Sequence, residues 1–130
     1  MNITAKLNDY RQSPRKVRLV ATLVKGKKVE DALSTLTYAV KRAADPLKSL
    51  MMSAVANAKN NFNIEKEDLF VKDFSVDSGA ILYRRMPRAR GVAYPIRKRT
   101  SHVTLVLGVK EHAEAKKAKP AKVSKKKAVK

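Results

Sequence analysis

The sequence predicts an α+β fold, in which three helices pack on a small antiparallel three-stranded sheet that carries a long protruding basic β-hairpin. Near both ends of residues 1–109, apolar and polar residues alternate, which is typical of half-buried strands. Between these stretches, apolar residues recur at spacings of three and four, which is typical of amphipathic helices. The hairpin is predicted from residues 84–99, which hold seven Lys or Arg and no Asp or Glu between two strand-like stretches.

The first strand and the first helix are close together in the chain. Alternating apolar residues within 3–7 predict a short strand with one buried face. Ser13 is a favourable N-cap and Pro14 a favourable first helical residue, so the helix is expected to begin there. Because glycine is common just after helix ends, Gly26 indicates that this helix covers about residues 14–25.

Two further helices are predicted. The apolar face of the second, shorter helix comprises Val29, Ala32, Leu33 and Leu36. The apolar face of the third comprises Leu47, Leu50, Met51, Ala54, Val55 and Ala58. The beginning of the third helix has two interpretations. Either Asp45-Pro46 supplies its cap and first residue, or residues 40–44 are already helical and Pro46 bends the helix. Asn60-Asn61 is expected to end it.

Two period-two stretches flank the predicted hairpin. One side of the first stretch is predicted to hold Phe70, Phe74 and Val76, with Lys72 interrupting it, and the other side Leu69, Val71, Asp73 and Ser75. Gly79 is expected to mark a bulge or a bend. The last strand alternates through Val103, Leu105, Leu107 and Val109.

The net charge of +19 indicates a polyanionic partner, with nucleic acid favoured over an anionic membrane. Fourteen of these net charges lie in two segments, the hairpin at 84–99 and a Lys/Ala-rich tail at 110–130. We expect residues 1–109 to form the globular domain that includes the hairpin, and the tail to be disordered in isolation. No apolar run is long enough for a membrane span, and no secretory pattern or cysteine occurs, so a cytoplasmic protein is expected.

Catalytic and metal-binding patterns are missing from the sequence. The two histidines, His102 and His112, are not accompanied by a set of residues with metal-ligand spacing. No glycine-rich phosphate loop follows a strand. The one acidic cluster, formed by Glu65, Glu67 and Asp68, is interpreted as solvated. We therefore expect no enzymatic activity, no cofactor and no metal.

Two basic surfaces are candidates for RNA binding. In the hairpin, Arg outnumbers Lys six to one, and the Arg side chain suits both phosphate binding and stacking on bases. Gly91 permits a tight reversal, and legs of about eight residues would extend roughly 25 Å. Tyr94 is a candidate for stacking on an exposed base. The second surface lies on the first helix and the residues that follow it.

Four motifs resemble one known family. They are Met86-Pro87-Arg88-Ala89-Arg90-Gly91; Lys98-Arg99-Thr100-Ser101-His102; Ser13 with Lys16-Val17-Arg18-Leu19-Val20-Ala21 and Gly26-Lys27; and Ser53-Ala54-Val55-Ala56-Asn57-Ala58. With these motifs in this order, the chain resembles the family of the twenty-second protein of the large ribosomal subunit, in its bacterial form. The resemblance covers about residues 3–109. Val92 and Tyr94-Pro95 depart from the more charged tip of that family, and Pro46 is unusual in its third helix.

The resemblance implies a structural protein of the large subunit, which binds and bridges ribosomal RNA (rRNA) domains during assembly. It also implies neighbouring large-subunit proteins as partners, and a hairpin tip that lines the peptide exit tunnel and meets the nascent chain. Combined with the basic surfaces, the motifs give these candidate rRNA-binding residues: Arg11, Ser13, Arg15, Lys16, Arg18, Lys25, Lys27, Lys28, Arg84, Arg85, Arg88, Arg90, Arg97, Lys98, Arg99, Thr100, Ser101 and His102. The implied tunnel-lining tip comprises Pro87, Arg88, Ala89, Arg90, Gly91, Val92, Ala93 and Tyr94.

One alternative is an architectural DNA-binding protein that uses a basic β-arm. Proteins of that class normally act as dimers, and this sequence has no obvious self-pairing stripe beyond its own core. A nucleic-acid-modifying enzyme would need a catalytic cluster that the sequence does not contain.

Overall fold

The structure is a computed structural model that describes residues 2–109. Its elements in chain order are β1 (Asn2–Tyr10), α1 (Pro14–Val24), α2 (Val29–Tyr38), α3 (Ala44–Phe62), a short 3₁₀ turn (Lys66–Asp68), β2 (Leu69–Pro87), a second 3₁₀ turn (Ala89–Gly91) and β3 (Ala93–Val109). This order confirms the predicted α+β fold of three helices on a three-stranded antiparallel sheet. The tail predicted at 110–130 lies outside the described residues.

The helix α1 has the boundaries that its sequence predicts. Pro14 is its first residue, where the missing N–H of proline is not needed by the helix. The N–H of Lys25 donates to the carbonyl of Ala21, and Gly26 then adopts a positive φ of 80° that ends the helix. Within residues 2–109, no helix combines the length and the apolar character that crossing a membrane requires.

The helix α3 differs from both interpretations of its beginning. It starts at Ala44, while residues 40–43 are not helical, so Asp45 and Pro46 both lie in its first turn. Proline is tolerated there because the first N–H groups of a helix have no partner within it. The predicted end at Asn60-Asn61 falls one residue short. The helix continues to Phe62, and Asn63 caps it with a left-handed φ of 50°.

The sheet places β3 between the two other strands, in the order β1-β3-β2, and both pairings are antiparallel. The three helices cover one face of this sheet and form the core against it. The strand side chains buried in that core are Ile3, Ala5, Leu69, Val71, Phe74, Val76, Val103, Leu105 and Leu107. Because β3 is the central strand, its three core residues lie at the middle of this layer.

A β-bulge at Lys72 corrects the predicted faces of β2. The register passes from Val71 opposite Leu107 to Asp73 opposite Val106, so Lys72 is an extra residue on β2. An extra residue reverses the alternation of side chains. Leu69 and Val71 are therefore buried before the bulge, and Phe74 and Val76 after it, whereas Phe70 is only half-buried. The prediction that placed Phe70 on the same side as Phe74 is wrong for this reason.

A second irregularity confirms the bend that was predicted at Gly79. Ser78 pairs with Ser101 and Ile81 with Arg99, so Gly79 and Ala80 together lie opposite Thr100. The Thr100 hydroxyl donates to the carbonyl of Ala80 at 2.6 Å. A Cβ atom on residue 79 would lie 2.5 Å from Thr100 Oγ1, so the close approach of the two strands requires glycine. Beyond this point β2 and β3 leave the helical layer.

A single arginine connects α1 to β2 just before that point. The Nε and Nη2 atoms of Arg18 both donate to the carbonyl of Val76, at 2.9 and 2.7 Å. Arg15 lies one turn earlier on α1, and within residues 2–109 its side chain makes no such hydrogen bond. The two residues therefore differ in what they contribute to the stability of the fold.

Replacing Arg18 with Ala should lower the free energy of unfolding by about 1 kcal/mol, because both charged hydrogen bonds to β2 are lost. Arg15→Ala serves as the matched control and should change it by less than about 0.5 kcal/mol. Urea unfolding of the RNA-free protein, followed by far-UV circular dichroism, measures both values. Equal destabilisation by the two substitutions would contradict a bridging role for Arg18.

Candidate nucleic-acid interface

The arm is the part of the β2–β3 hairpin that extends beyond Gly79. Its paired legs run from Ile81 opposite Arg99 to Pro87 opposite Ala93. Seven residues per leg give a length of roughly 20 Å at the usual rise of a strand. The arm is therefore an extension of two strands whose other ends are fixed in the core.

Both faces of the arm carry positive charge. Residues that are directly opposite each other in an antiparallel pair point to the same face. The pairs Arg84–Ile96 and Leu82–Lys98 place two cations on one face. The pairs Arg85–Pro95, Tyr83–Arg97 and Ile81–Arg99 place three cations on the other face. All five basic side chains are exposed, so the arm can bind anions on both sides at once.

Within residues 2–109, the cations of the arm form no ion pair with a carboxylate. The ion pairs found within residues 2–109 join Lys25 to Asp73 and Lys66 to Glu30, and neither of them includes an arm residue. The sequence also contains no Asp or Glu from 78 to 110. The positive charge of the arm is therefore available to a partner.

The turn at the tip of the arm has a defined backbone. The N–H of Arg88 donates to the carbonyl of Val92 at 2.9 Å. Arg90 and Gly91 both adopt left-handed conformations, with φ of 58° and 71°. The expected reversal at Gly91 is confirmed, and it includes a second left-handed residue that the sequence did not indicate.

A basic cleft of about 730 Å³ lies where the arm meets the helices. Its lining residues come from four separate segments of the chain, and they are Arg11, Gln12, Ser13, Lys16, Arg42, Arg97, Lys98 and Arg99. Six of the eight are Lys or Arg, and none is acidic. The fold holds these six cations around one cleft, and such a concentration of positive charge favours binding of an anion.

The first turn of α1 adds to the positive potential at this cleft. The backbone carbonyl of Ser13 accepts hydrogen bonds from the N–H groups of Lys16 and Val17, but the Ser13 side chain does not cap the helix. A second depression of about 300 Å³ shares Ser13 and Arg99 with the cleft and adds Arg15 and Arg18 to its rim. No acidic residue lies in the first turn of α1, so the positive end of the helix dipole is not compensated there.

Arg42 belongs to the cleft although sequence reasoning did not single it out. It lies in the connection between α2 and α3, which has no periodic pattern. The Tyr10 hydroxyl lies against this connection, 3.2 Å from the carbonyl oxygen of Arg42 and 2.7 Å from Gln12 Oε1, and its single proton can be donated to either of these two oxygens. Burial raises the pKa of the Tyr10 phenol above its ordinary value. The adjacent basic residues Lys41 and Arg42 were the one sequence signal for this part of the cleft. Only the path of the connection shows that Arg42 lies in the cleft.

The predicted candidates at the far end of α1 are separate from the cleft. Lys25 lies 2.6 Å from Asp73, and the hydrogen bond from Lys25 lowers the pKa of the Asp73 carboxyl. That contact contributes to stability at neutral pH and is lost as the pH falls through the lowered pKa. The Nζ atom of Lys27 donates to Thr35 at 3.3 Å, and Lys28 forms a backbone bridge with Phe70.

Three other candidates at the root of the arm contact their own chain. Thr100 is buried and bonds to the carbonyl of Ala80. Ser101 is fully buried, and its hydroxyl lies 3.5 Å from the carbonyl of Tyr10. His102 accepts a hydrogen bond at Nδ1 from the N–H of Asp9. These side chains hold β1, β2 and β3 in register next to the cleft.

The arrangement is suited to binding phosphate groups. Arginine and lysine side chains at fixed positions neutralise phosphates and release counterions. Within residues 2–109, no group of His, Cys, Asp or Glu side chains could hold a metal ion. The site therefore consists of the basic cleft, the two cationic faces of the arm and the turn at its tip.

Comparison with known proteins gives consistent results. A match to the family described as "Ribosomal protein L22p/L17e" covers residues 5–108. Proteins named "Large ribosomal subunit protein uL22" include one from Christiangramia forsetii, 49% identical over 85% of this chain and 84% of that protein. The one from Herpetosiphon aurantiacus is 48% identical over 82% and 95% of the two chains, and the one from Mesoplasma florum 50% identical over 82% and 96%.

These relatives are named for a place in the ribosome and not for a reaction, which agrees with the expectation that the chain is not an enzyme. The family match extends over nearly all of the described residues, and it includes the four motifs on which the resemblance was based. The chain belongs to the ribosomal protein L22p/L17e family.

Proposed function

We propose that the chain is a structural component of the large ribosomal subunit in the cytoplasm, which binds and bridges segments of rRNA. The observation that carries this proposal is the arm, whose two faces both expose cations that pair with no carboxylate of residues 2–109. An arm that contacted RNA on one side only would need cations on only one of its two faces. Cations on both faces fit a strand pair that is enclosed by RNA.

The mechanism is electrostatic and geometric. RNA segments repel one another through their phosphates, and a cationic rod placed between them reduces that repulsion. The rod is effective because its position is fixed, as its two strands continue into the core. Few base-specific contacts are needed, since most hydrogen bonds of this kind go to phosphate and sugar.

The candidate residues divide by what they contact in the free protein. The cleft residues Arg11, Lys16 and Arg42 and the exposed cations of the arm are proposed to bind rRNA phosphates directly. Thr100 and Ser101 are buried, so we propose that they position the root of the arm. Lys25 and Lys27 already have partners within the chain and are proposed to contribute less.

The tip is proposed to reach the peptide exit tunnel and to face the nascent chain. Support for this part comes from the family and from the shape of the arm. Residues 87–94 are exposed and lie at the greatest distance from the helices along both strands. The arm carries them away from the folded domain by roughly 20 Å.

Sedimentation of cell extracts tests the proposed function. The chain should migrate with large ribosomal subunits, and this migration should survive DNase and be lost after RNase treatment. Association with chromosomal DNA, released by DNase alone, would contradict the proposal and support the architectural DNA-binding alternative.

Replacing Arg42 with Ala should weaken binding to large-subunit rRNA, because one phosphate contact in the cleft is lost. The slope of log affinity against log salt concentration should fall by about 1. Filter binding at several salt concentrations measures both quantities. Lys59→Ala is the matched control, because Lys59 is exposed near the opposite end of α3, and it should leave the slope unchanged. Equal slopes for wild type and Arg42→Ala would remove Arg42 from the interface.

Shortening the arm should leave the folded domain intact. Residues 85–95 are replaced by Asn-Gly, so that Arg84 and Ile96, which pair in the structure, flank a two-residue turn and the N–H of Ile96 can close it. The removed side chains are exposed, so the free energy of unfolding should change by less than about 0.5 kcal/mol in urea. The cleft remains, so binding to rRNA should persist at reduced affinity. Global unfolding of this variant would show that the arm stabilises the domain.

A further inference from the structure

We propose that the tip of the arm is a pocket for one unstacked nucleobase of RNA, with the Tyr94 ring as its stacking surface. This inference rests on the proposed binding of RNA and names the chemistry of one contact within it. The tip pocket is a shallow depression of about 500 Å³ lined by Arg88, Ala89, Arg90, Val92 and Tyr94. This volume lies within the range of pockets that hold small organic ligands.

The backbone of the turn preforms this pocket. The hydrogen bond from the N–H of Arg88 to the carbonyl of Val92 closes the turn at 2.9 Å. A second one, from the N–H of Val92 to the carbonyl of Ala89, measures 3.4 Å. The lining residues on both sides of the turn are therefore held at fixed spacing before any ligand binds, which reduces the entropy lost on binding.

The tip also exposes apolar surface that has no cover within the described chain. Tyr94 is 57% exposed, Val92 50% and Met86 47%. Met86 and Tyr94 lie directly opposite each other on the two strands, so their side chains share one face. An aromatic ring supported by a neighbouring apolar side chain is the arrangement on which bases stack in single-stranded nucleic-acid sites.

The surrounding charge selects a nucleobase over an apolar peptide segment. Arg88 and Arg90 line the same pocket, and the arm holds seven Lys or Arg without a carboxylate. A nucleotide offers a flat π surface for Tyr94 together with a phosphate for the arginines. An apolar peptide would cover the ring but leave the arginines without a counter-charge. The arginine planes can also stack on a base.

The test compares two eight-nucleotide probes that carry the same number of phosphates, oligoadenylate and an abasic strand of the same length. The full chain is used as wild type, Tyr94→Leu and Tyr94→Phe. Tyr83→Leu is the matched control, because Tyr83 is 62% exposed on a leg of the same arm and lies outside the tip pocket.

Tyr94→Leu should weaken binding of oligoadenylate by about fivefold or more, because a base–aromatic stack is worth about 1–3 kcal/mol. Binding of the abasic strand should not change, nor should the salt dependence for either probe. Tyr94→Phe should retain wild-type affinity, and Tyr83→Leu should have little effect.

Fluorescence gives a second readout. The chain contains no Trp, so the contribution of Tyr94 to its fluorescence is the emission of wild type minus the emission of Tyr94→Phe. Oligoadenylate should quench that contribution, and the abasic strand should not.

Equal affinities of wild type and Tyr94→Leu for oligoadenylate would overturn the inference while leaving RNA binding by the arm intact. Equal losses with both probes would also overturn it, because they would show a change in charge or folding and not in stacking. Quenching of Tyr94 by an uncharged apolar peptide but not by oligoadenylate would assign the pocket to peptide. Failure of wild type to bind either probe or large-subunit rRNA would instead refute the proposed function itself.

Discussion

The pairing of β2 with β3 determines both the folded domain and the arm. One antiparallel pairing, interrupted by two bulges, begins in the core at Leu69 opposite Val109 and ends at the tip at Pro87 opposite Ala93. The buried half is held by the apolar contacts of the central strand, and the exposed half carries the positive charge. Because the two halves share the same strands, the direction of the arm is set by packing around Leu105 and Leu107. The bulge at Gly79 is the place where this direction is adjusted.

The distribution of charge gives the domain one strongly basic side. The basic cleft surrounds the N-terminal end of α1, next to the root of the arm. At the other end of α1, the first turn of α2 carries Glu30 and Asp31, and Glu30 lies 3.3 Å from Lys66. Positive potential is therefore concentrated on the side from which the arm extends. A field of this kind orients a protein before contact and accelerates its association with a polyanion.

Much of the fold could be predicted because local patterns and tertiary structure agree. The period of the apolar residues fixed the three helices, and the uncompensated charge at 84–99 identified the arm. The bulge at Lys72 was not predicted, although Lys72 interrupts the apolar side of this stretch, because only the partner strand decides whether such a residue is an extra one in the ladder. The predicted faces of β2 were wrong for that reason.

The candidate site was predictable only in part. Arg97, Lys98 and Arg99 stand out in the sequence, but Arg42 joins them only through the path of the α2–α3 connection over Tyr10. Conversely, Thr100 and Ser101 follow directly after these cations in the matching motif, yet their side chains are buried. Charge density along a chain shows which segment meets an anion. Which side chains face it depends on contacts between segments that are far apart in sequence.

A density map of large ribosomal subunits that contain this chain is the most direct test of an arm that is braced by a folded domain and enclosed by RNA. The map should show rRNA against both faces of the arm, with phosphates beside Arg42 and Arg97 in the cleft. An arm that lies in solvent or folds back on its own domain, with Arg88 and Arg90 paired to the chain's own carboxylates, would contradict it.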